Sequence, residues 1–104
     1  MNEVDYKDFR EALYHGADIE LSYNNMFYFI CSAGDTKDNV INYSISVEKF
    51  DKSIFSGEES DFYELLFDES SSNVEELMES CLNVPIFEGK NFYDLKDEIE
   101  LLGY

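Results

Sequence analysis

Carboxylates are the side chains most able to do chemistry in this sequence, because many of them occur in one stretch without opposite charge. No Lys or Arg is found between Ser53 and Gly89. Blocks of like charge are typical of solvated or interaction surfaces. Phe62 and Leu65 are interleaved with the acidic residues, which favours an amphipathic face over a disordered tail. The residues that we expect to bind a partner are Glu58, Glu59, Asp61, Tyr63, Glu64, Asp68, Glu69, Glu75, Glu76 and Glu79.

The spacing of these carboxylates favours an array on helices. Asp61, Glu64 and Asp68 would share one helical face, and Glu75 and Glu79 would lie one turn apart. Such neighbours are about 5–6 Å apart at Cβ and repel each other. Successive phosphates of a nucleic-acid strand are separated by a similar distance, roughly 6–7 Å. The pattern therefore predicts carboxylates that occupy a basic nucleic-acid site, with a merely solubilising surface as the alternative.

Tyr63 is the expected aromatic anchor of this surface. Exposed tyrosines among acidic residues are favoured in interfaces. The same ring could instead belong to the core, because the face of a predicted helix is easily misassigned by one position.

The groups needed for catalysis or metal binding form no recognisable set. His15, the only histidine, precedes Gly16 at the predicted end of a helix, where a partial positive charge suits the helix dipole. Asp35 and Asp38 lack the ligand pattern of an EF-hand, so a hairpin turn is expected there, with contact to a divalent ion as the alternative. Because no nucleophile–base pair can be assembled, we expect a binding protein without a cofactor and not an enzyme.

The overall charge narrows the choice of partner. Among 104 residues, 24 Asp and Glu stand against 7 Lys and Arg, which gives a formal net charge of −17. This charge disfavours direct binding to nucleic acid or to anionic lipid and favours a basic protein. Cys31 and Cys81 lie in apolar surroundings, which predicts buried free thiols in a reducing cytoplasm. Neither a leader nor an apolar run of roughly 20 residues is apparent, so a cytoplasmic protein without a membrane span is expected.

Hydrophobic periodicity predicts a single α+β domain over residues 1–104. A first helix is predicted from Tyr6 to His15, with Asp5 as its N-cap. Three strands of an antiparallel meander follow, at Ile19–Tyr23, Met26–Ser32 and Val40–Val47. Asn24-Asn25 suits a tight turn between the first two strands. The second strand is nearly all apolar, which favours a central strand covered on both faces.

Helical spacing returns after the third strand. The second, third and fourth predicted helices are capped by Ser60, Asn73 and Asn91 respectively. Their apolar stripes are Phe62, Leu65 and Leu66; then Val74, Leu77, Met78 and Cys81; then Phe92, Leu95, Ile99 and Leu102. The predicted order is therefore αβββααα, in which the N-terminal helix and two to three C-terminal helices cover a three-stranded sheet.

Two segments resemble parts of small acidic proteins from Gram-positive bacteria and their phages and mobile elements. They are the ending FEGKNFYDLKDEIE, from Phe87 to Glu100, and the opening helix followed by DIELSYN, from Asp18 to Asn24. In size and charge the chain also resembles anti-CRISPR inhibitors. The resemblance implies an inhibitor that acts as a DNA or RNA mimic on a nucleic-acid-binding enzyme such as a CRISPR nuclease, in the bacterial host cytoplasm. The alternatives are an immunity or antitoxin-like protein that caps a basic toxin, and an adaptor or regulatory domain whose charge is incidental.

Overall fold

Five strands and three helices follow one another in the computed structural model, which describes residues 1–51 and 63–104. They are α1 (Glu3–Tyr14), β1 (Asp18–Tyr23), β2 (Met26–Lys37), β3 (Val40–Asp51), β4 (Tyr63–Ser71), α2 (Val74–Asn83), α3 (Phe92–Leu95) and β5 (Glu100–Gly103). The strands form one antiparallel sheet in the order β4-β3-β2-β1-β5. The predicted α+β class and N-terminal helix are confirmed, whereas the three-stranded sheet and the order αβββααα are wrong. Ser60 and Phe62, part of the predicted second helix, lie outside the described residues.

The first helix begins earlier than its spacing predicts. The side chain of Asn2 accepts a hydrogen bond from the backbone N–H of Asp5 at 2.8 Å, so Asn2 and not Asp5 is the N-cap. The N-terminal ammonium group of Met1 donates to the carbonyl oxygens of Lys96 and Ile99. The start of α1 is therefore tied to the segment between α3 and β5.

Two-residue turns with positive φ close the first two hairpins. Asn24 and Asn25 have φ angles of 47° and 64°, and Asp38 and Asn39 have 53° and 64°. Asn and Asp tolerate this left-handed conformation, and such turns match the twist of antiparallel strands. The predicted Asn24-Asn25 turn is confirmed, whereas Asp35 lies within β2 and not in the second turn.

The described part of the predicted second helix is a strand, so that prediction is wrong. Val47 lies opposite Phe67 but Glu48 lies opposite Leu65, which leaves Leu66 as an extra residue in a β-bulge. A bulge shifts the alternation of side chains along the strand by one position. Apolar residues at successive positions consequently resemble helical spacing although the segment is extended.

The C-terminal region contains less helix than predicted. α2 is confirmed, and the side chain of Asn73 accepts a hydrogen bond from the backbone N–H of Glu76 at 3.1 Å. Asn91 and Asp94 form a capping box at the start of α3, but this helix ends at Leu95. The chain then continues as β5, which pairs with the edge of β1. This pairing gives backbone N–H and C=O groups of both strands hydrogen-bond partners. None of the described helices is both long and apolar enough to cross a membrane.

The core lies between the helices and one face of the sheet, which we call the inner face. Tyr28 and Ile30 of β2 point to this face and are buried. Phe27, Phe29 and Cys31 alternate with them and point to the opposite face, the outer face. The predicted burial of Cys31 is wrong, because Cys31 is exposed. The other core residues on the described strands and helices include Phe9, Leu13, Leu21, Val47, Phe67, Leu77, Leu82, Phe92 and Leu95.

Candidate binding surface

The fold divides the predicted partner-binding residues among several surfaces. Glu58, Glu59 and Asp61 lie outside the described residues, as does the side chain of Tyr63, whose backbone begins β4. The remaining predicted residues lie on β4 and α2: Glu64, Asp68, Glu69, Glu75, Glu76 and Glu79. All of them except the half-buried Glu79 are exposed. The structure therefore keeps these carboxylates at the surface without bringing them together in one row.

The predicted helical spacing of Glu64 and Asp68 is replaced by a strand geometry. Glu64 lies opposite Lys49, and Lys49 lies opposite Tyr28. Because Tyr28 points to the inner face, Glu64 is on the inner-face side of β4. Asp68 lies opposite Ser46 on the outer face. The strand thus separates two like charges that a helix would have stacked one turn apart, which removes the repulsion expected from the helical spacing.

A groove between β4 and α2 brings two of the predicted carboxylates together. Its volume is about 340 Å³, and it is lined by Glu69, Ser70, Ser71, Glu76, Leu77 and Ser80. The hydroxyl of Ser80 donates a hydrogen bond to Oε2 of Glu69 at 3.1 Å. Because Glu69 and Glu76 are both exposed, this groove has an acidic lining that is open to solvent.

Glu79 is engaged within the chain. Its Oε1 lies 3.2 Å from Nη1 of Arg10, and its Oε2 accepts a hydrogen bond from the hydroxyl of Tyr93 at 2.7 Å. The Tyr93 hydrogen bond, together with Arg10, lowers the pKa of the Glu79 carboxyl. Arg10 also donates to the hydroxyl of Tyr6 at 3.2 Å. This cluster joins α1, α2 and α3. The carboxylate of Glu79 is therefore used in contacts between the helices.

A second group of carboxylates lies on the outer face, where two rows cross four strands. The residues opposite one another in the first row are Glu20, Phe29, Glu48 and Leu65. The second row consists of Asp18, Cys31, Ser46 and Asp68. Neighbouring strands are about 4.8 Å apart, and residues two apart along a strand are separated by about 7 Å. The four carboxylates therefore surround Phe29, Cys31 and Ser46 at the surface of the sheet.

Spacing along the sequence does not single out this outer-face group. The alternation of β1 places Asp18 and Glu20 on its polar side, but Glu48 and Asp68 are distant in sequence. Only the register of β2, β3 and β4 brings the four side chains onto one face. Of the four carboxylates, only Glu20 lies within a predicted strand, and the alternation of that strand does not show which strands pair or in which register.

The outer face also forms a groove around Phe29. Its volume is about 400 Å³, and its lining residues include Asp18, Glu20, Phe29, Cys31, Glu48 and Tyr104. Desolvation by its neighbours raises the pKa of the Cys31 thiol even though part of the residue is exposed, and the nearby carboxylates of Asp18 and Glu48 raise it further. A thiolate anion is therefore disfavoured at this position.

Opposite charge does little to neutralise these surfaces. Within residues 1–51 and 63–104, Arg10 and Glu79 form the only ion pair closer than 4 Å. The same part of the chain has no group of three or more His, Cys, Asp or Glu side chains that could hold a metal ion. The outer-face carboxylates thus have no cationic side chain within 4 Å among the described residues.

Comparison with known protein families, with characterised proteins and with solved structures finds no match to this chain.

Proposed function

We propose that this protein is a non-enzymatic inhibitor that imitates nucleic acid and occupies the basic nucleic-acid-binding groove of another protein in the cytoplasm. A nucleic-acid-binding enzyme such as a CRISPR nuclease is the partner class that we propose. The observation that supports this proposal best is the pair of acidic rows on the outer face, formed by Asp18, Glu20, Glu48 and Asp68 without a described cation within 4 Å.

The spacing of these carboxylates suits a site that binds phosphates. Asp18 and Glu20 are two residues apart on β1, which corresponds to about 7 Å along the strand. Glu48 and Asp68 occupy adjacent strands in neighbouring rows, so their Cα atoms are separated by about 8 Å. Successive phosphates of one nucleic-acid strand are roughly 6–7 Å apart. Lys and Arg side chains arranged to contact phosphates can therefore reach these carboxylates with little rearrangement.

Phe29 lies between Glu20 and Glu48 and belongs to an aromatic cluster on the outer face. The rings of Phe27 and Phe29 are stacked with their centroids 6.0 Å apart, and Phe29 is 4.9 Å from Phe50. The outer face thus combines carboxylates with an apolar aromatic cluster.

A charge-matched pair of variants tests this proposal. The outer-face variant carries Asp18→Asn, Glu20→Gln, Glu48→Gln and Asp68→Asn. The control carries Glu3→Gln, Glu11→Gln, Asp97→Asn and Glu98→Gln, which change the net charge equally at exposed positions away from the outer face. Each protein is immobilised and used to capture proteins from bacterial lysate at about 0.1 and about 0.5 M NaCl, with short duplex DNA as the competitor.

The wild type and the control should capture the same nucleic-acid-binding protein, and both DNA and high salt should release it, because the contact is electrostatic. The outer-face variant should lose this capture while its thermal unfolding remains cooperative. Equal capture by the outer-face variant and the control would contradict the proposed site. Capture that resists both DNA and salt would contradict nucleic-acid imitation altogether.

A further inference from the structure

β4 is an edge strand of the sheet that residues 1–51 and 63–104 form. In the order β4-β3-β2-β1-β5, β4 pairs with β3 on one side, and no described strand pairs with its other side. Natural proteins often protect such edges with Lys or Pro residues, since an unpaired strand can recruit another chain. β4 contains neither residue type and instead carries Glu64, Asp68 and Glu69. All charged side chains of this strand are therefore negative.

The part of β4 beyond the bulge at Leu66 is regular enough to accept another strand. From Phe67 to Ser71 each residue has one partner in β3, without a break in register. Asp68 points to the outer face, and Glu69 points to the groove that it shares with Glu76 and Ser80. An added strand would thus meet a carboxylate on each side of the sheet.

The charge of this edge decides which chain can pair with it. A second copy of β4 would place carboxylates opposite carboxylates, an arrangement that destabilises cross-strand pairs. A basic strand would place opposite charges across the same positions, which stabilises them. We infer that the β4 edge binds an extended, basic segment of the partner protein as a sixth strand of the sheet. This inference rests on one part of the proposed function, which is that the partner is a basic protein.

The geometry specifies the pattern of the bound segment. Side chains of a strand alternate between the two faces of a sheet. Of two consecutive basic residues, one therefore contacts Asp68 on the outer face, and the next enters the groove beside Glu69 and Glu76. Backbone hydrogen bonds to β4 supply affinity that is independent of side-chain identity, as in other cases of strand addition.

The test uses full-length ¹⁵N-labelled protein and synthetic seven-residue peptides of Thr and Val with a central Lys-Arg pair. Two further peptides have the same sequence, and each is N-methylated at one alternate set of amides. Only one of these two sets can face β4, because alternate amides of a strand point in opposite directions. Binding is followed by amide chemical shifts at moderate salt.

The unmodified peptide should shift the amides of residues 67–71, and one methylated peptide should bind at least about tenfold more weakly because it loses several backbone hydrogen bonds. The other methylated peptide should bind as well as the unmodified one. The Glu69→Gln, Glu76→Gln variant should weaken binding, whereas the matched Asp97→Asn, Glu98→Gln variant should not.

Two results would overturn the inference: equal binding by both methylated peptides, or no binding by the unmodified peptide. Equal binding would mean contact through charge alone, which leaves the proposed function intact. Conversely, peptide binding with the expected methylation pattern, together with lysate capture that DNA does not release, would retain the strand addition and refute nucleic-acid imitation.

Discussion

Replacing Glu79 with Gln should destabilise the protein, although the substitution reduces a large excess of negative charge. The change keeps the size of the side chain but removes the charge that faces Arg10 at 3.2 Å and that accepts the Tyr93 hydrogen bond at 2.7 Å. Glu98 is the appropriate reference because it is exposed and lies outside the helices. Glu98→Gln removes the same charge and so reports the general relief of repulsion.

The magnitude follows from the exposure of the pair. A hydrogen bond to a charged group contributes about 1 kcal/mol more than a neutral one, and an exposed ion pair contributes about 0.2–1 kcal/mol. Because the side chain of Glu79 is 47% exposed, solvent screening reduces both contributions. We therefore expect Glu79→Gln to be about 1 kcal/mol less stable than Glu98→Gln, which corresponds to about 4–8 °C in Tm for a domain of this size.

Acid should abolish this difference. The pKa of Glu79 is lowered in the folded state, so its contribution is complete above the unfolded-state pKa of about 4.3 and is lost as pH falls through the folded-state value. Thermal unfolding followed by circular dichroism, from pH 7 to below pH 4, measures both variants. Equal Tm values at pH 7, or a gap that persists unchanged in acid, would refute the assignment of Glu79 as a stabilising carboxylate.

Three further predictions concern charge, the thiols and a helix cap. Addition of about 0.5 M NaCl should raise the Tm of the wild type by screening repulsion, and a flat or falling trend would mean that the carboxylates are already compensated. Iodoacetamide should alkylate Cys31 in the folded protein, with a rate that keeps rising at alkaline pH because its pKa is raised, whereas Cys81 should react only on unfolding; mass spectrometry of the alkylated peptides distinguishes them. Asn73→Ala should cost about 1 kcal/mol in urea unfolding, since it removes the acceptor for the N–H of Glu76, and an unchanged midpoint would argue against this cap.

Several features of this protein follow from short-range sequence alone. The alternation in β1 and β3, the Asn24-Asn25 turn and the capping residue Asn73 of α2 are all visible without a structure, because each depends on residues close together in the chain. The net charge of −17 is likewise a property of composition. These features are sufficient to predict an acidic α+β domain.

Only the tertiary structure decided the sheet of five strands and the grouping of its carboxylates. β4 and β5 are strands because β3 and β1 provide edges for them, and the bulge at Leu66 conceals the alternation that would otherwise mark β4. Cross-strand register likewise places Glu20 and Glu48 on either side of Phe29, while a contact between helices pairs Glu79 with Arg10. These pairings join residues that are far apart in sequence, and local periodicity carries no information about which distant strand or helix a residue will face.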